Sequence, residues 1–360
     1  MKTNMKKIGL TDNFLAESGL YPNLYVGRVF SVHKNSYKIM CERGELTAKV
    51  SGKFRHKART SSDYPGVGDF VMFDTNFEKN DEAVIQVILP RKTVFIRKAA
   101  GKTPNDQVIA SNIDTIFICM SLNKDFNLRR TERYLTISRD SGASPIIVLT
   151  KSDLCNNIAE KLEEIKTVAP GVPILVTSAF DNDGYVQVLP YIKEGETVAF
   201  IGSSGVGKST LINRLIGNDF IKTDSLRNDD KGRHTTTKRE LIMLNSGMVI
   251  DTPGMREIGI ENADFSIFKD IDELSPLCKF NDCTHTKEPG CAVQKAIKEG
   301  VFTLDRLLSY QKLKKEAGYE GMTSRQLEHV KINQMFKEVG GMKKAKKFTK
   351  EQSAKKHKPI

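Results

Sequence analysis

The sequence predicts a multidomain fold: a small β-barrel, then a parallel α/β domain, then a small metal-binding helical domain. Three observations support this prediction. Short strand-like runs follow one another between residues 24 and 89, strands alternate with helices from residue 113 onward, and cysteines cluster with a histidine at 278–291. The expected parts are an N-terminal lead-in at 1–20, the barrel at 21–95, a linker at 96–112, the α/β domain at 113–270, the helical domain at 271–341 and a basic tail at 342–360.

The composition narrows the class of protein before any motif is considered. The chain has 360 residues and a formal net charge of +12, which favours a polyanionic partner without identifying it. The sequence shows no apolar run of membrane length and no signal-peptide pattern, so we expect a cytoplasmic protein without a membrane partner. Cys41, Cys119 and Cys155 are scattered and are expected to be reduced and structural.

The barrel is predicted from strand-like runs that Gly, Asn, Asp and Pro separate. These runs are Leu24–Val32, Ser36–Cys41, Glu45–Val50, Asp69–Asp74 and Ala83–Leu89. Five strands in roughly seventy residues suit a small closed barrel such as the OB-fold. The connection between the third and fourth runs is basic, with Lys53, Arg55, His56, Lys57 and Arg59. This connection either binds nucleic acid or is the solvated loop of a spacer domain.

From residue 113 the hydrophobic pattern changes to an alternation of buried strands and amphipathic helices. Strands are expected at 113–120, 145–150, 173–177 and 197–202, helices at 128–140, 158–168 and 210–216, and a hairpin at 240–250. Such alternation predicts a parallel sheet that helices cover on both faces.

A phosphate-binding P-loop lies between one of these strands and its helix. Its residues are Gly202, Ser203, Ser204, Gly205, Val206, Gly207, Lys208 and Ser209, followed by Thr210, and they fit G-x-x-x-x-G-K-[ST]. The glycines let backbone N–H groups surround phosphate oxygens, and the helix N-terminus adds positive potential. Lys208 is expected to reach the β- and γ-phosphates, and the Ser209 hydroxyl to bind Mg²⁺.

Two short motifs that can recognise guanine end neighbouring strands, where ligands bind in such sheets. In the first, Asp153 can accept from the two guanine donors and the Lys151 stem can cover the base, with Thr150 before them. In the second, Ser178 and Ala179 can offer backbone N–H groups to the guanine carbonyl. Each motif alone is weak, and the specificity comes from their joint placement.

Two further motifs have the composition of nucleotide-sensing switches. Asp251 follows a strand and can hold Mg²⁺ through water, and the N–H of Gly254 can sense the γ-phosphate. The segment Gly232–Thr237 lies between the P-loop helix and that strand, and Thr235 or Thr236 can complete the Mg²⁺ shell.

The order of these motifs differs from that of most GTPases, in which the P-loop comes first. Here the base-recognition motifs at 150–153 and 177–179 precede the P-loop at 202–209. The order indicates a circular permutation, in which the sheet is unchanged while the chain enters it elsewhere. The permutation leaves the segment after Asp251 connected directly to the C-terminal domain, so a nucleotide-driven movement can be passed on.

The clustered cysteines and histidine offer a complete set of zinc ligands. Cys278, Cys283, His285 and Cys291 supply three thiolates and one imidazole, as a closed tetrahedral Zn²⁺ site requires. Because four protein ligands leave no open position, one structural zinc ion is expected. A loop-rich module of this size gains much of its stability from such a metal.

The residues after the cluster predict two helices and a charged arm. Leu304, Leu307 and Leu308 mark one helix, and Thr323 and Gln326 can cap another. Residues 342–360 are rich in lysine and are expected to form a solvated arm, which either binds ribosomal RNA phosphates or only aids solubility.

Taken together, the permuted order, Gly205–Ser209, Arg233–Thr237 and the cysteine cluster resemble the ribosome small-subunit-dependent GTPase family over nearly the full chain. The resemblance implies an OB-fold, a circularly permuted P-loop GTPase domain and a zinc-binding domain. It also implies GTP hydrolysis with Mg²⁺, stimulated by the small ribosomal subunit, during late maturation of that subunit. The implied partners are the subunit, its rRNA and GTP or GDP, with the protein itself a monomer.

The resemblance also assigns a catalytic role that the common GTPase pattern does not supply. Met255 stands where Ras-type enzymes place a water-orienting Gln, and methionine cannot orient water. The family gives this role to the switch histidine, which matches His234; the alternative is an exposed loop residue. His234, Lys208, Thr235, Thr236 and Gly254 are the expected catalytic set.

Two other functions compete with this interpretation. An ATP-using P-loop enzyme is disfavoured by Asp153, because adenine presents an acceptor where guanine presents a donor. A passive RNA-binding assembly protein with a vestigial site is disfavoured by the intact Lys208, Ser209 and Asp251.

Overall fold

The computed structural model describes residues 3–34, 36–77, 82–97, 107–179, 181, 184–217, 240–251 and 265–317, with only the backbone of residues 97, 251, 316 and 317. The strands are β1 (Tyr25–Val32), β2 (Tyr37–Cys41), β3 (Gly44–Val50), β4 (Phe70–Asp74), β5 (Ala83–Ile88), β6 (Val94–Arg97), β7 (Gln107–Ser111), β8 (Thr115–Ser121), β9 (Ser144–Thr150), β10 (Ile174–Val176), β11 (Thr197–Ile201), β12 (Glu240–Met243) and β13 (Met248–Asp251). The α-helices are α1 (Asp12–Ser18), α2 (Gly52–Lys57), α3 (Leu128–Ser141), α4 (Ile158–Val168), α5 (Lys208–Ile216), α6 (Lys269–Leu274), α7 (Ala292–Lys298) and α8 (Leu304–Ala317).

The first five strands close into a barrel, which confirms the predicted OB-type fold. Their order is β1-β2-β3-β5-β4, and the additional pairing of β1 with β4 closes the ring. Alternate side chains point inward, and Val29, Ile39, Val71, Phe73 and Ile85 are fully buried there. The predicted basic connection between β3 and β4 contains helix α2.

Residues predicted as a linker instead contain a strand pair, so the prediction of a linker at 96–112 was wrong in this part. β6 and β7 pair antiparallel, and Val67 bridges to Ala110 beside the barrel. Phe95 and Ile109 are each 1% exposed. The basic residues around these short apolar runs hid the strand pattern, and burial of the runs stabilises the pair.

The α/β domain confirms the predicted circularly permuted architecture. Its strands lie in the order β10-β9-β8-β11-β13-β12, parallel except for the last, although the chain enters at β8. The P-loop strand β11 is therefore central, between β8 and β13. Helix α4 has the bounds that its hydrophobic spacing predicts, and β12–β13 form the expected hairpin.

The barrel and the α/β sheet are joined directly through the pairing of Ser31 in β1 with Glu240 in β12. Arg28 is 1% exposed at this junction. Its guanidinium donates to the carbonyls of Ile8 at 2.8 Å, Gly68 at 3.1 Å and Asn112 at 3.2 Å. Burial lowers the pKa of Arg28 to about 10, although Asp114 and Asp69 oppose the shift. These bonds connect the lead-in, the barrel and the β7–β8 connection.

The C-terminal helices pack against helix α3 of the α/β domain. Arg306 of α8 is 6% exposed; its guanidinium donates to Glu132 of α3 at 2.8 Å and to Asp270 of α6 at 2.8 Å. It also donates to the carbonyl of Ile267 at 2.6 Å. The buried ion pair between Arg306 and Glu132 therefore connects the C-terminal helices to the α/β domain. Over the parts of the chain described above, no helix is long and apolar enough to cross a bilayer.

Candidate functional site

The sequence motifs meet at one edge of the parallel sheet. β8, β9, β10, β11 and β13 end there at Ser121, Thr150, Val176, Ile201 and Asp251. Because the strands are parallel, these carboxyl ends share one edge, which is where α/β sheets bind ligands.

The P-loop has the backbone that close approach to an anion requires. β11 is buried along its whole length, and α5 begins at Lys208. Gly202, Gly205 and Gly207 all have positive φ, at 149°, 70° and 102°. A Cβ atom on Gly202 would lie 2.4 Å from the carbonyl oxygen of Cys119 in β8. Glycine is therefore required sterically at this position as well as conformationally.

Lys208 lies across the beginning of its own loop. Its Nζ donates to the carbonyls of Gly202 at 2.8 Å and Ser203 at 2.7 Å. Ser209 and Thr210 follow in the first turn of α5, whose N-terminus carries positive potential. Ser204 and Gly205 are exposed. The loop thus presents the ammonium group and helix terminus at the sheet edge.

Thr150 joins the first base-recognition motif to the P-loop. Its hydroxyl donates to the Val206 carbonyl at 2.5 Å, and its oxygen lies 3.4 Å from the carbonyl of Met120. A Cβ on Gly207 would lie 3.8 Å from the Thr150 Cβ, so the two segments are in van der Waals range. Thr150 is 6% exposed. A buried hydroxyl donor therefore holds the two segments together.

The two base-recognition motifs also contact each other. The Ser178 hydroxyl donates to Asp153 at 2.5 Å, and Ser152 N–H donates to the Thr177 carbonyl at 3.2 Å. Lys151 has φ 58°, a left-handed conformation uncommon for a residue with a side chain. Asp153 is exposed, and its carboxylate would become buried only when a base binds over it.

Ala179 ends the second base-recognition motif and is exposed. Its carbonyl accepts from Arg214 of α5 at 3.2 Å. The P-loop helix and this motif are therefore in direct contact.

Part of the predicted nucleotide site lies outside the described residues. These site residues are His234, Thr235, Thr236 and Gly254. The predicted helix cap at Thr323 and Gln326 and the basic tail at 342–360, which are not part of the nucleotide site, also lie outside the described residues. Asp251 is described by its backbone as the last residue of β13. The roles of these side chains stay predictions.

The predicted metal ligands converge in the C-terminal domain. The ligand atoms of Cys278, Cys283, His285 and Cys291 all lie within 4.8 Å of one another. The Sγ atoms of Cys278 and Cys291 are 3.8 Å apart, and His285 Nδ1 lies 3.6 and 3.5 Å from them. Metal–sulfur bonds of about 2.3 Å and metal–nitrogen bonds of about 2.0 Å give tetrahedron edges of about 3.8 and 3.5 Å. The three distances among Cys278, His285 and Cys291 match these edges, and Cys283 lies near enough to be the fourth ligand.

Neighbouring groups orient these ligands. Cys291 caps α7, and its Sγ accepts from the N–H of Gln294 at 3.4 Å. His285 Nε2 lies 3.2 Å from the Ser275 hydroxyl, while Gln294 Nε2 donates to the His285 carbonyl at 2.6 Å. Such outer contacts fix ring orientation in metal sites.

The loop that carries His285 is closed by Glu288. Its carboxylate accepts from the N–H groups of Thr284 at 2.9 Å and Thr286 at 2.8 Å. These bonds, with one from the Thr284 hydroxyl as the strongest, hold the pKa of Glu288 well below its usual range. The loop conformation therefore favours an ionised Glu288.

Asp125 and Arg130 lie beside the P-loop, although neither belongs to a motif that predicted the site. The Asp125 carboxylate accepts from the Ser203 hydroxyl and from Arg130 at 2.8 Å. Asp125 follows β8 by four residues, so the strand-end rule that found the other motifs would also have found this acidic residue.

Comparison with known proteins shows which family has this arrangement. The model of the RsgA GTPase family matches residues 88–261, and that of the ABC transporter family matches residues 187–353, a range that includes the P-loop. Small ribosomal subunit biogenesis GTPase RsgA 2 of Lactiplantibacillus plantarum is 49% identical over 349 residues, covering 96% of this chain and 98% of that protein.

Two solved structures are also similar. The crystal structure of YjeQ from Thermotoga maritima is 26% identical with a TM-score of 0.60, covering 82% of this chain and 98% of that one. The structure of YloQ, a circularly permuted GTPase, is 26% identical with a TM-score of 0.57, covering 82% and 95%. The near full-length similarity, the permuted sheet and the cysteine cluster agree, and the chain belongs to the RsgA GTPase family.

Proposed function

We propose that this protein hydrolyses GTP during late maturation of the small ribosomal subunit and is stimulated by that subunit. The observation that carries the proposal is the 2.5 Å hydrogen bond from Thr150 to Val206, which ties the base-recognition strand end to the P-loop. One nucleotide can therefore contact both segments. The relative from Lactiplantibacillus plantarum, named for biogenesis of this subunit, supports the choice of partner.

In the proposed complex, the phosphates lie over the P-loop at 202–210 and the guanine lies between Lys151, Asp153 and the Ser178–Ala179 segment. Mg²⁺, which these enzymes use to neutralise phosphate charge, would be held by Ser209, Asp251 and Thr235 or Thr236. The donor set of hydroxyls and a carboxylate fits this oxygen-preferring ion.

Hydrolysis requires a group that orients the attacking water. We assign this role to His234, since the Met255 thioether cannot perform it. Lys208 would bind the β- and γ-phosphates, and the Gly254 N–H would contact the γ-phosphate. Contact with the subunit would bring the His234 imidazole to the γ-phosphate, and hydrolysis would then release the protein.

The proposed base selectivity rests on Asp153. We expect GTP to bind more tightly than ATP by about 10⁴-fold, because a site that hydrogen-bonds a particular donor rejects a ligand that lacks it. Replacing Asp153 with Asn should weaken GTP and strengthen xanthosine triphosphate, whose ring presents an acceptor. Titrations of all three nucleotides against both proteins measure this effect.

The matched control for this titration is Glu163→Gln, which removes the same charge from an exposed position on α4. It should bind GTP as the unaltered protein does. Equal affinity of the unaltered protein for ATP and GTP would show that the site does not select guanine.

We also propose that the metal is zinc, with one structural ion per chain. Three thiolates, one imidazole and tetrahedral edge lengths are typical of closed zinc sites. Replacing Cys283 with Ser should remove the metal and loosen the C-terminal domain, while GDP affinity stays within about threefold because the ligands lie outside the P-loop. Elemental analysis and GDP titration of the same preparation test this prediction.

Cys155→Ser is the control, since Cys155 is half-buried and lies outside the cluster. It should retain about one zinc ion per chain. Protein purified without chelators that contains no zinc would contradict the assignment.

The rRNA contacts are proposed to lie partly on the barrel. Helix α2 exposes Lys53, Arg55, His56 and Lys57, and Arg59 follows it, so a basic ridge faces solvent. Phosphate contacts by such residues make binding depend on salt. We further propose the domain division given by the sequence, with the β6–β7 pair replacing part of its linker. We also propose a monomer that acts in the cytoplasm with the subunit, and a tail at 342–360 that adds phosphate contacts.

A further inference from the structure

Asp125 lies in the connection between β8 and α3, beside the P-loop. Its Oδ2 accepts from the Ser203 hydroxyl and from Arg130 Nη1 at 2.8 Å. Its own N–H donates to Asn123 Oδ1 at 2.9 Å, and that oxygen also accepts from the Ser121 hydroxyl at 2.9 Å. The carboxylate is thus held from its backbone and from its side chain.

Ser203 connects this carboxylate to Lys208. Its hydroxyl binds Asp125, while its carbonyl oxygen accepts from Lys208 Nζ at 2.7 Å. The contacts therefore run from Arg130 through Asp125 and Ser203 to the ammonium group of the P-loop lysine. Only Ser203 and Lys208 belong to the P-loop itself.

We propose that Asp125 is a positioning residue that fixes Ser203, so that the Ser203 carbonyl holds Lys208 toward the phosphates of a bound guanine nucleotide. The inference rests on the proposed function, and it adds a residue that lies outside the P-loop and base-recognition motifs. Arg130 orients Asp125 and compensates its charge.

The negative charge of Asp125 allows its effect on nucleotide affinity to be tested. A carboxylate beside a phosphate site repels the ligand, and the repulsion falls off slowly in a partly buried region. Asp125 is ionised in this setting, because the bonds from Ser203 and Arg130 lower its pKa. Removing the carboxylate should therefore weaken nucleotide binding if Asp125 positions Ser203, and strengthen it if Asp125 mainly repels the phosphates.

The test is a GDP titration of Asp125→Ala, Ser203→Ala and the double variant. Each single variant should bind GDP about tenfold more weakly, the scale of one hydrogen bond to a charged group. The double variant should bind no more weakly than either single variant, since both remove the same contact. Asp125→Asn keeps an acceptor for Ser203 and should restore affinity to within about threefold.

Two further measurements separate positioning from general damage. Thermal unfolding of the nucleotide-free proteins should show the same midpoint for Asp125→Asn and the unaltered protein. In steady-state GTP hydrolysis, Asp125→Ala should lower kcat as well as raise KM, because Lys208 acts on the transferred phosphoryl group. Glu163→Ala, with the same charge change on α4, should match the unaltered protein in both measurements.

Each alternative outcome is distinct. Tighter GDP binding by Asp125→Ala would show that repulsion dominates. Unchanged GDP affinity in the single variants, or additive losses of affinity in the double variant, would show that the contact does not position Lys208. Each of these results overturns the inference. Lys208→Ala tests the proposed function independently: if that variant binds GDP normally, the nucleotide site itself is wrong.

Discussion

Replacing His234 with Ala is expected to lower subunit-stimulated GTP turnover by a factor of about 10²–10⁴, the scale for losing a positioned catalytic side chain. GTP and subunit affinity should stay nearly normal, because the P-loop and base-recognition motifs hold the nucleotide without this imidazole. Met255 has no group that could orient the water instead. Steady-state hydrolysis and nucleotide titration on the same preparation measure both effects.

The intrinsic rate without subunits serves as the internal control for this variant. The intrinsic rate should change little, since His234 is proposed to act only in the complex with the subunit. Full stimulated turnover in His234→Ala would mean that another group, such as one from the ribosome, positions the water.

Replacing Arg306 with Met is expected to lower the free energy of unfolding by about 3 kcal/mol near neutral pH, the lower end of the range for a broken buried ion pair, because Arg129 then compensates the buried Glu132 carboxylate only in part. Glu132 is 0% exposed, and its cationic partners among the described residues are Arg306 at 2.8 Å and Arg129 at 2.6 Å. Urea unfolding followed by circular dichroism measures the loss.

The pH dependence of this loss follows from Glu132. Burial raises the pKa of Glu132, against the opposing bonds from Ser309 and the two arginines. A carboxyl with a raised pKa in the folded state favours folding at low pH, and this contribution is lost as pH rises through that pKa. The defect of Arg306→Met should therefore be smaller near pH 5 than near pH 8.

The double variant Arg306→Met with Glu132→Leu is the control, because removing both charges also removes the uncompensated one. It should recover most of the stability at neutral pH and lose the pH dependence. A double variant as unstable as Arg306→Met would show that packing of the arginine stem, rather than the charge, carries the effect.

Features with local signals could be predicted from the sequence. The bounds of α4 follow from hydrophobic spacing within eleven residues, and the barrel strands follow from turn residues between short apolar runs. The cysteine cluster was predicted because its ligands lie within fourteen residues of chain, and the motifs met at one edge because parallel strands share a carboxyl end.

Features that depend on distant partners could not be predicted. Arg28 appears in the sequence as an ordinary strand residue, and only the fold brings Ile8, Gly68 and Asn112 around it. Arg306 likewise lies 174 positions from Glu132. The β6–β7 pair is short, and its strands are stabilised by burial against the barrel rather than by local propensity.

GTP turnover at a fixed protein concentration, measured against increasing amounts of purified small ribosomal subunits, tests the central claim most directly. We expect slow turnover by the protein without subunits, a saturable rise with small subunits and little rise with large subunits. Lys208→Ala should show none of this activity. Turnover that is equal with and without small subunits, or equally stimulated by large ones, would contradict it.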